Sequence, residues 1–123
     1  MDVRKALGAR GEDMAADYLR RQGWLILDRN WSCGRRGELD IVAVEPGAVG
    51  DTLVFCEVKT RSGIGYGQPL EAITHEKLRR LNRLALAWLG EHTMGFARIR
   101  IDGIGVLLEP SGRARLTHTR GVQ

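Results

Sequence analysis

The segment Gly37 to Arg61, GELDIVAVEPGAVGDTLVFCEVKTR, constrains the fold most, because it sets two short apolar runs on either side of a turn. Leu39 to Val44 and Leu53 to Val58 are rich in Val, Ile and Leu and flank the Pro- and Gly-containing stretch Glu45 to Thr52. That is the pattern of strand, turn and strand. Side chains alternate along a strand, so Glu57 and Lys59 share a face while Val58 points the other way. A turn that pairs Val44 with Leu53 carries the antiparallel register on to place Asp40 opposite Glu57, and opposed residues share a face. A slip of one residue sends Asp40 to the other face, so the convergence of these three charges rests on the register that turn length implies.

Two carboxylates opposed on a sheet repel one another unless something neutralises them. Magnesium takes hard oxygen ligands and binds through one or two carboxylates plus substrate phosphate, a requirement that Asp40 and Glu57 fit. Such a cation polarises a phosphoryl oxygen and lowers the pKa of water. Lys59 then stands where an ammonium offsets charge developing in the transition state.

Asp40 followed by Glu57-Val58-Lys59 resembles the D…ExK core of the PD-(D/E)xK nuclease superfamily, although Leu39 stands where the superfamily's name has proline. Gly8, Gly11-Glu12, Ala15, Tyr18-Leu19, Gly23, Asn30-Trp31, Gly37 to Asp40, Phe55 to Arg61, Gly67, Lys77 and Arg100-Ile101-Asp102 resemble, in that order, the small bacterial YraN-type family. The resemblance runs from Gly8 to about His118. It implies an endonuclease-like protein related in fold to archaeal Holliday-junction resolvases, an α/β domain with a restriction-endonuclease-like mixed sheet flanked by helices. It implies Mg²⁺ or Mn²⁺ held by Asp40, Glu57 and the carbonyl of Val58, with Lys59 assisting hydrolysis and Glu12 reaching in from the first helix. Lys77 matches a family lysine, and branched DNA is the substrate that the resolvase likeness suggests. The chain departs from the family at Ser32, where a basic residue is common, and in a tail without an aromatic residue.

The remaining elements follow from periodicity. Leu7, Met14, Ala15, Tyr18 and Leu19 recur mostly three or four apart, which predicts an amphipathic helix over Val3 to Gln22 stopped by Gly23. Gly8 and Gly11 inside it cost about 1 kcal/mol each relative to Ala, which points to close backbone approach or a late helix start. Trp24 to Arg29 reads as a strand and Asn30 to Gly37 as a basic loop whose Arg35 and Arg36 are candidate phosphate contacts. Glu38 is an accessory candidate beside Asp40. Arg61 and the glycine-rich Ser62 to Gly67 are expected at the mouth of the site, with Gln68-Pro69 opening a helical region, and Arg61 and Gln68 are further candidate nucleic-acid contacts, Gln68 to the scissile phosphate or a metal-bound water. Thr74 to Glu91 carries Leu78, Leu81, Leu84, Ala85, Trp88 and Leu89 on one stripe. Its other face carries Lys77, Arg79, Arg80 and Arg83, of which Lys77 and Arg80 are candidate nucleic-acid contacts. His75 and His92 lack partners at metal spacing and read as surface residues. Phe96 to Leu108 is expected to be a strand interrupted by Gly103 and Gly105, Ala114 to Thr119 a closing strand, Asp102 a structural residue, and Thr119 to Gln123 a loosely held tail.

A chain of 123 residues suits one domain, 1–123. A formal charge of +4 and a pI near 9.6 suit a nucleic-acid partner, DNA by the resemblance. Cys33 and Cys56 have neither zinc nor redox spacing, and no stretch has the length or apolarity of a membrane span or signal segment. A cytoplasmic protein with reduced thiols, without a membrane partner and with a homodimer to cut paired strands, is the expectation. Two other functions use the same residues. One is a module of this fold that grips nucleic acid without cutting. The other is a protein-interaction domain in which Asp40, Glu57 and Lys59 form a cross-strand charge cluster.

Overall fold

A computed structural model describes residues 2–63, 74–92, 95–96 and 98–122. Helix α1 spans Val3–Arg21, β1 Leu25–Ser32, β2 Glu38–Glu45 and β3 Thr52–Ser62; a 3-10 turn, Gly34–Arg36, joins β1 to β2. Helix α2 spans His75–Glu91, β4 Arg98–Leu108 and β5 Ala114–Thr119. The five strands form one sheet in the order β1-β2-β3-β4-β5, in which only β3 and β4 run parallel. This is the α/β, restriction-endonuclease-like arrangement of a mixed sheet flanked by helices.

Alternation along the strands divides the core into two layers. Ile41, Ala43, Val54, Cys56, Val58, Ile104 and Val106 pack with Ala15, Ala16 and Leu19 of α1. Val42, Val44, Leu53, Phe55 and Ile101 pack with Leu81, Leu84, Ala85 and Trp88 of α2. Each fully buried Leu, Ile or Phe in these layers contributes about 1.5–3 kcal/mol of transfer free energy. Trp88 also donates its indole N–H to Asp28 Oδ2 at 3.0 Å, which satisfies the one polar atom that its burial would strand.

Glycine acts differently at the two α1 positions. A Cβ on Gly11 would overlap the Thr60 side chain, so this residue permits the helix to lie against β3; at Gly8 nothing stands within 4 Å of the same point. Close approach therefore explains Gly11 alone, and the helix starts at Val3, capped by Asp2.

Several expectations are corrected. β1 continues to Ser32, past the expected end at Arg29, because Trp31 and Ser32 pair with Leu39 and Glu38. β3 continues to Ser62 on the support of β4, so Lys59 and Arg61 lie on a strand. Gly103 and Gly105 do not interrupt β4; they pair with Glu57 and Lys59 on one side and Thr119 and Thr117 on the other. His92 is half-buried, stacked on Trp88 with centroids 3.8 Å apart, and its Nδ1 lies 2.6 Å from the Trp88 carbonyl. The tail is tied down by Gly121 N–H to Asp102 Oδ1 and Val122 N–H to Ile101 O. The turn expected over Ser62 to Gly67, beyond Gly63, and the Gln68-Pro69 helix start lie outside the described residues.

Candidate active site at the diverging ends of two strands

The hairpin register is the one that turn length implies: Val44 pairs with Leu53, and the β2–β3 ladder runs from Glu45↔Thr52 to Ile41↔Cys56. Continued by one residue, it sets Asp40 against Glu57. At that point strict alternation lapses in β2, since Leu39 packs on the α2 side and Ile41 on the α1 side. Beside it, Asn30 of β1 has a φ of 50°, an uncommon conformation outside glycine. Asp40 is thereby turned toward β3, where Oδ2 accepts the Val58 N–H at 2.8 Å and so satisfies an amide beyond the end of the ladder.

Glu57 is 7 % exposed. Lys77 of α2 places Nζ 3.0 Å from Glu57 Oε1. Thr74 fixes where that lysine starts, because its Oγ1 accepts the Lys77 N–H at 3.1 Å as the helix N-cap. The ammonium of Lys77, a candidate nucleic-acid contact, is the counter-charge of Glu57.

Burial, the neighbouring Glu57 carboxylate and the more distant Glu12 push the Asp40 carboxyl up to about 8, against the pull of the Val58 N–H. Burial raises Glu12 too, partly offset by Arg29 and by a hydrogen bond with Asn30. Lys59 is lowered, first by burial and then by the like charges of Lys77 and Arg61. Burial and like charge thus act together on this site, disfavouring the charged form of Asp40 and of Lys59 alike.

Gly103 and Gly105 complete the floor. Paired residues of a sheet share a face, so the strand beside Glu57 and Lys59 carries no side chains at those two positions. Sequence reasoning missed this role, as it missed Asn30 and Arg29 beside Glu12. The Gly-x-Gly at strand spacing was the available signal. Arg35 and Arg36 are exposed on the 3-10 turn, and Arg80 is exposed on α2 with its side chain within van der Waals reach of a Cβ built on Gly37. Glu38 is exposed and acts on Glu12 by charge alone. Arg61 is half-buried and donates to the Thr60 carbonyl at 3.3 Å. Gln68 lies outside the described residues.

Among the described residues, no three His, Cys, Asp or Glu side chains group as a metal cage. Two carboxylates and a nearby main-chain carbonyl remain, a hard-oxygen set that fits magnesium, which keeps several waters, better than a metal needing a full protein shell. Asp102, by contrast, belongs to a separate structural network. It is 0 % exposed and binds Arg100, His118 Nε2 at 2.8 Å and the Gly121 N–H, while Tyr18 OH lies 2.9 Å from His118 Nδ1.

The fold and the paired acids at the strand ends define an α/β protein of the nuclease-like class in architecture. Residues 11–106 match the model of the uncharacterised protein family UPF0102, the YraN family, and the chain belongs to it. It is 48 % identical over 122 residues to a UPF0102 protein of Arthrobacter sp. (strain FB24), covering 99 % of each chain. It is 50 % identical over 120 residues to one of Mycobacterium ulcerans (strain Agy99), covering 98 % of this chain and 96 % of that one. Among solved structures it is similar, at a TM-score of 0.37 and 16 % identity, to Pyrococcus furiosus SfsA in complex with Ca²⁺, covering 99 % of this chain and 65 % of that one. No helix among the described residues is long and apolar enough to cross a membrane.

Proposed function

We propose that this protein is a divalent-metal-dependent nuclease that hydrolyses phosphodiester bonds in DNA. The observation that carries this is the confrontation of half-buried Asp40 with buried Glu57 at the diverging ends of β2 and β3, with Lys59 two residues along the same strand as Glu57. A structural charge cluster would pair each acid with a base. Here one lysine meets Glu57, and Asp40 is left against a carboxylate and an amide.

Asp40, Glu57 and the Val58 carbonyl would hold Mg²⁺ or Mn²⁺, which supplies Lewis acidity toward a phosphodiester. The chain's own groups do the rest. Asp40 is held in orientation by the Val58 N–H. Lys59, whose burial favours its neutral form, is suited to receive a proton or to answer developing negative charge. Glu12 lies within electrostatic reach of Asp40 and Arg29 and is hydrogen-bonded to Asn30. Arg35, Arg36, Arg61 and Arg80 offer phosphate contacts around the site. A homodimer with two such sites would cut paired strands, and branched DNA is the substrate class that suits it.

The test is cleavage of labelled linear, single-stranded and four-way-junction DNA with Mg²⁺, with Mn²⁺ and with chelator. Metal-dependent cutting by wild type that is lost in Glu57→Gln is expected. Binding without cutting by both proteins would favour the non-catalytic module instead.

A further inference from the structure

The β2–β3 ladder ends at Ile41↔Cys56, but β3 continues for six more residues supported from the β4 side. Along that stretch, between β3 and the first turns of α1, runs a cleft of about 550 Å³. Arg4, Lys59 and Arg61 supply its charge, Leu7 an apolar wall, and Ser62 a hydroxyl; among the described residues no lining side chain is acidic. Gly8 forms part of the wall, and nothing stands within 4 Å of where its Cβ would be.

That combination is specific in chemistry. Continuous duplex presents phosphates on a convex surface and needs cations but no hollow. The groove on α2 lined by Thr74, Glu76, Lys77, Arg80 and Arg83, about 430 Å³, has no apolar wall among the described residues and offers a nucleotide only polar contacts. A hollow within the roughly 300–1,000 Å³ of small-ligand sites, with an apolar wall and guanidinium groups, takes a base or sugar together with its phosphate. Guanidinium planes stack on bases and fork onto phosphate oxygens. Lys59 is common to this cleft and to the candidate active site, so a nucleotide seated here is adjacent to the bond to be cut.

We infer that the cleft between α1 and the outer end of β3 is a seat for one unpaired nucleotide of the substrate strand, kept open by the absence of a side chain at Gly8. This rests on the proposed nuclease function and narrows its substrate to nucleic acid with unpaired nucleotides next to the scissile bond, such as an overhang or a strand at a junction. Gly8 thereby gains an explanation that its helical position lacks, since alanine there would favour the helix.

The experiment is fluorescence anisotropy in chelator with a labelled overhang duplex and a labelled blunt duplex, for wild type, Gly8→Leu and Arg4→Glu, with a thermal melt of each protein. Gly8→Leu fills open space on a helix, so its melting temperature is expected to rise by about 4 °C. Its affinity for the overhang is expected to fall roughly tenfold, the scale of one lost base contact, with blunt-duplex affinity unchanged. Arg4→Glu is expected to weaken overhang binding more than blunt binding. If wild type binds and Gly8→Leu binds the overhang equally well, the seat is refuted and the nuclease reading stands; if wild type binds neither DNA, both fall.

Discussion

Asp40→Asn removes one carboxylate from the confronted pair and leaves an oxygen to accept the Val58 N–H. With its carboxyl raised to about 8 by burial and by Glu57, folded Asp40 holds a proton that the unfolded chain, near the ordinary 3.8, releases. Stability from this residue is therefore fully present below about pH 4 and is lost as pH rises through about 8. One proton of difference corresponds to a little over 1 kcal/mol per pH unit, so about 2 kcal/mol between pH 6 and pH 8. For a chain of this size that is about 8 °C in melting temperature. Urea and thermal unfolding in chelator at pH 6, 7 and 8 measure it. Wild type should lose stability over this range, Asp40→Asn should be nearly flat, and the variant should be the more stable protein at pH 8. Parallel pH profiles for the two proteins would refute the claim that the pair is under electrostatic stress.

Other perturbations read other parts of the fold. Gly11→Ala should destabilise by about 1–3 kcal/mol in chemical unfolding, because overlap with Thr60 outweighs a gain of about 1 kcal/mol in helix propensity. Lys77→Met strands the Glu57 carboxylate and should cost about 2 kcal/mol in chelator, part of it recovered in saturating Mg²⁺, as thermal melts would record. Although burial raises it, the Asp102 carboxyl is held at about 2 by His118, Arg100 and the Gly121 N–H. Its stabilising share is present above about pH 4 and lost as pH falls through 2, so the stability gap between wild type and Asp102→Asn should narrow by about 2 kcal/mol over that interval in acid titrations.

The confrontation of Asp40 and Glu57 was legible because an apolar alternation and a turn of fixed length determine antiparallel register between neighbouring strands. Helix α2 was equally legible from its stripe, but not the landing of Lys77 on Glu57. That contact depends on the angle at which α2 lies over the sheet, set by Trp88, Leu81 and Leu84 together. Gly103 and Gly105 read as breaks because glycine weakens an isolated strand; in a central strand flanked by β3 and β5, the ladder on both sides overrides that preference. A tail without an aromatic residue predicts a loose end. Its anchor is the buried Asp102, whose side chain accepts from the Gly121 main chain across nineteen residues of sequence. His92 likewise takes its place from Trp88 one turn earlier, a helical neighbour that metal-spacing rules do not consider.

Asp40 and Glu57 are proposed to hold a divalent cation jointly. Titration of Mn²⁺ followed by electron paramagnetic resonance, for wild type, Asp40→Asn and Glu57→Gln, tests it without requiring turnover. One saturable site is expected in wild type, competed by Mg²⁺ and lost in both variants. No site in wild type, or the same site in all three proteins, would contradict it.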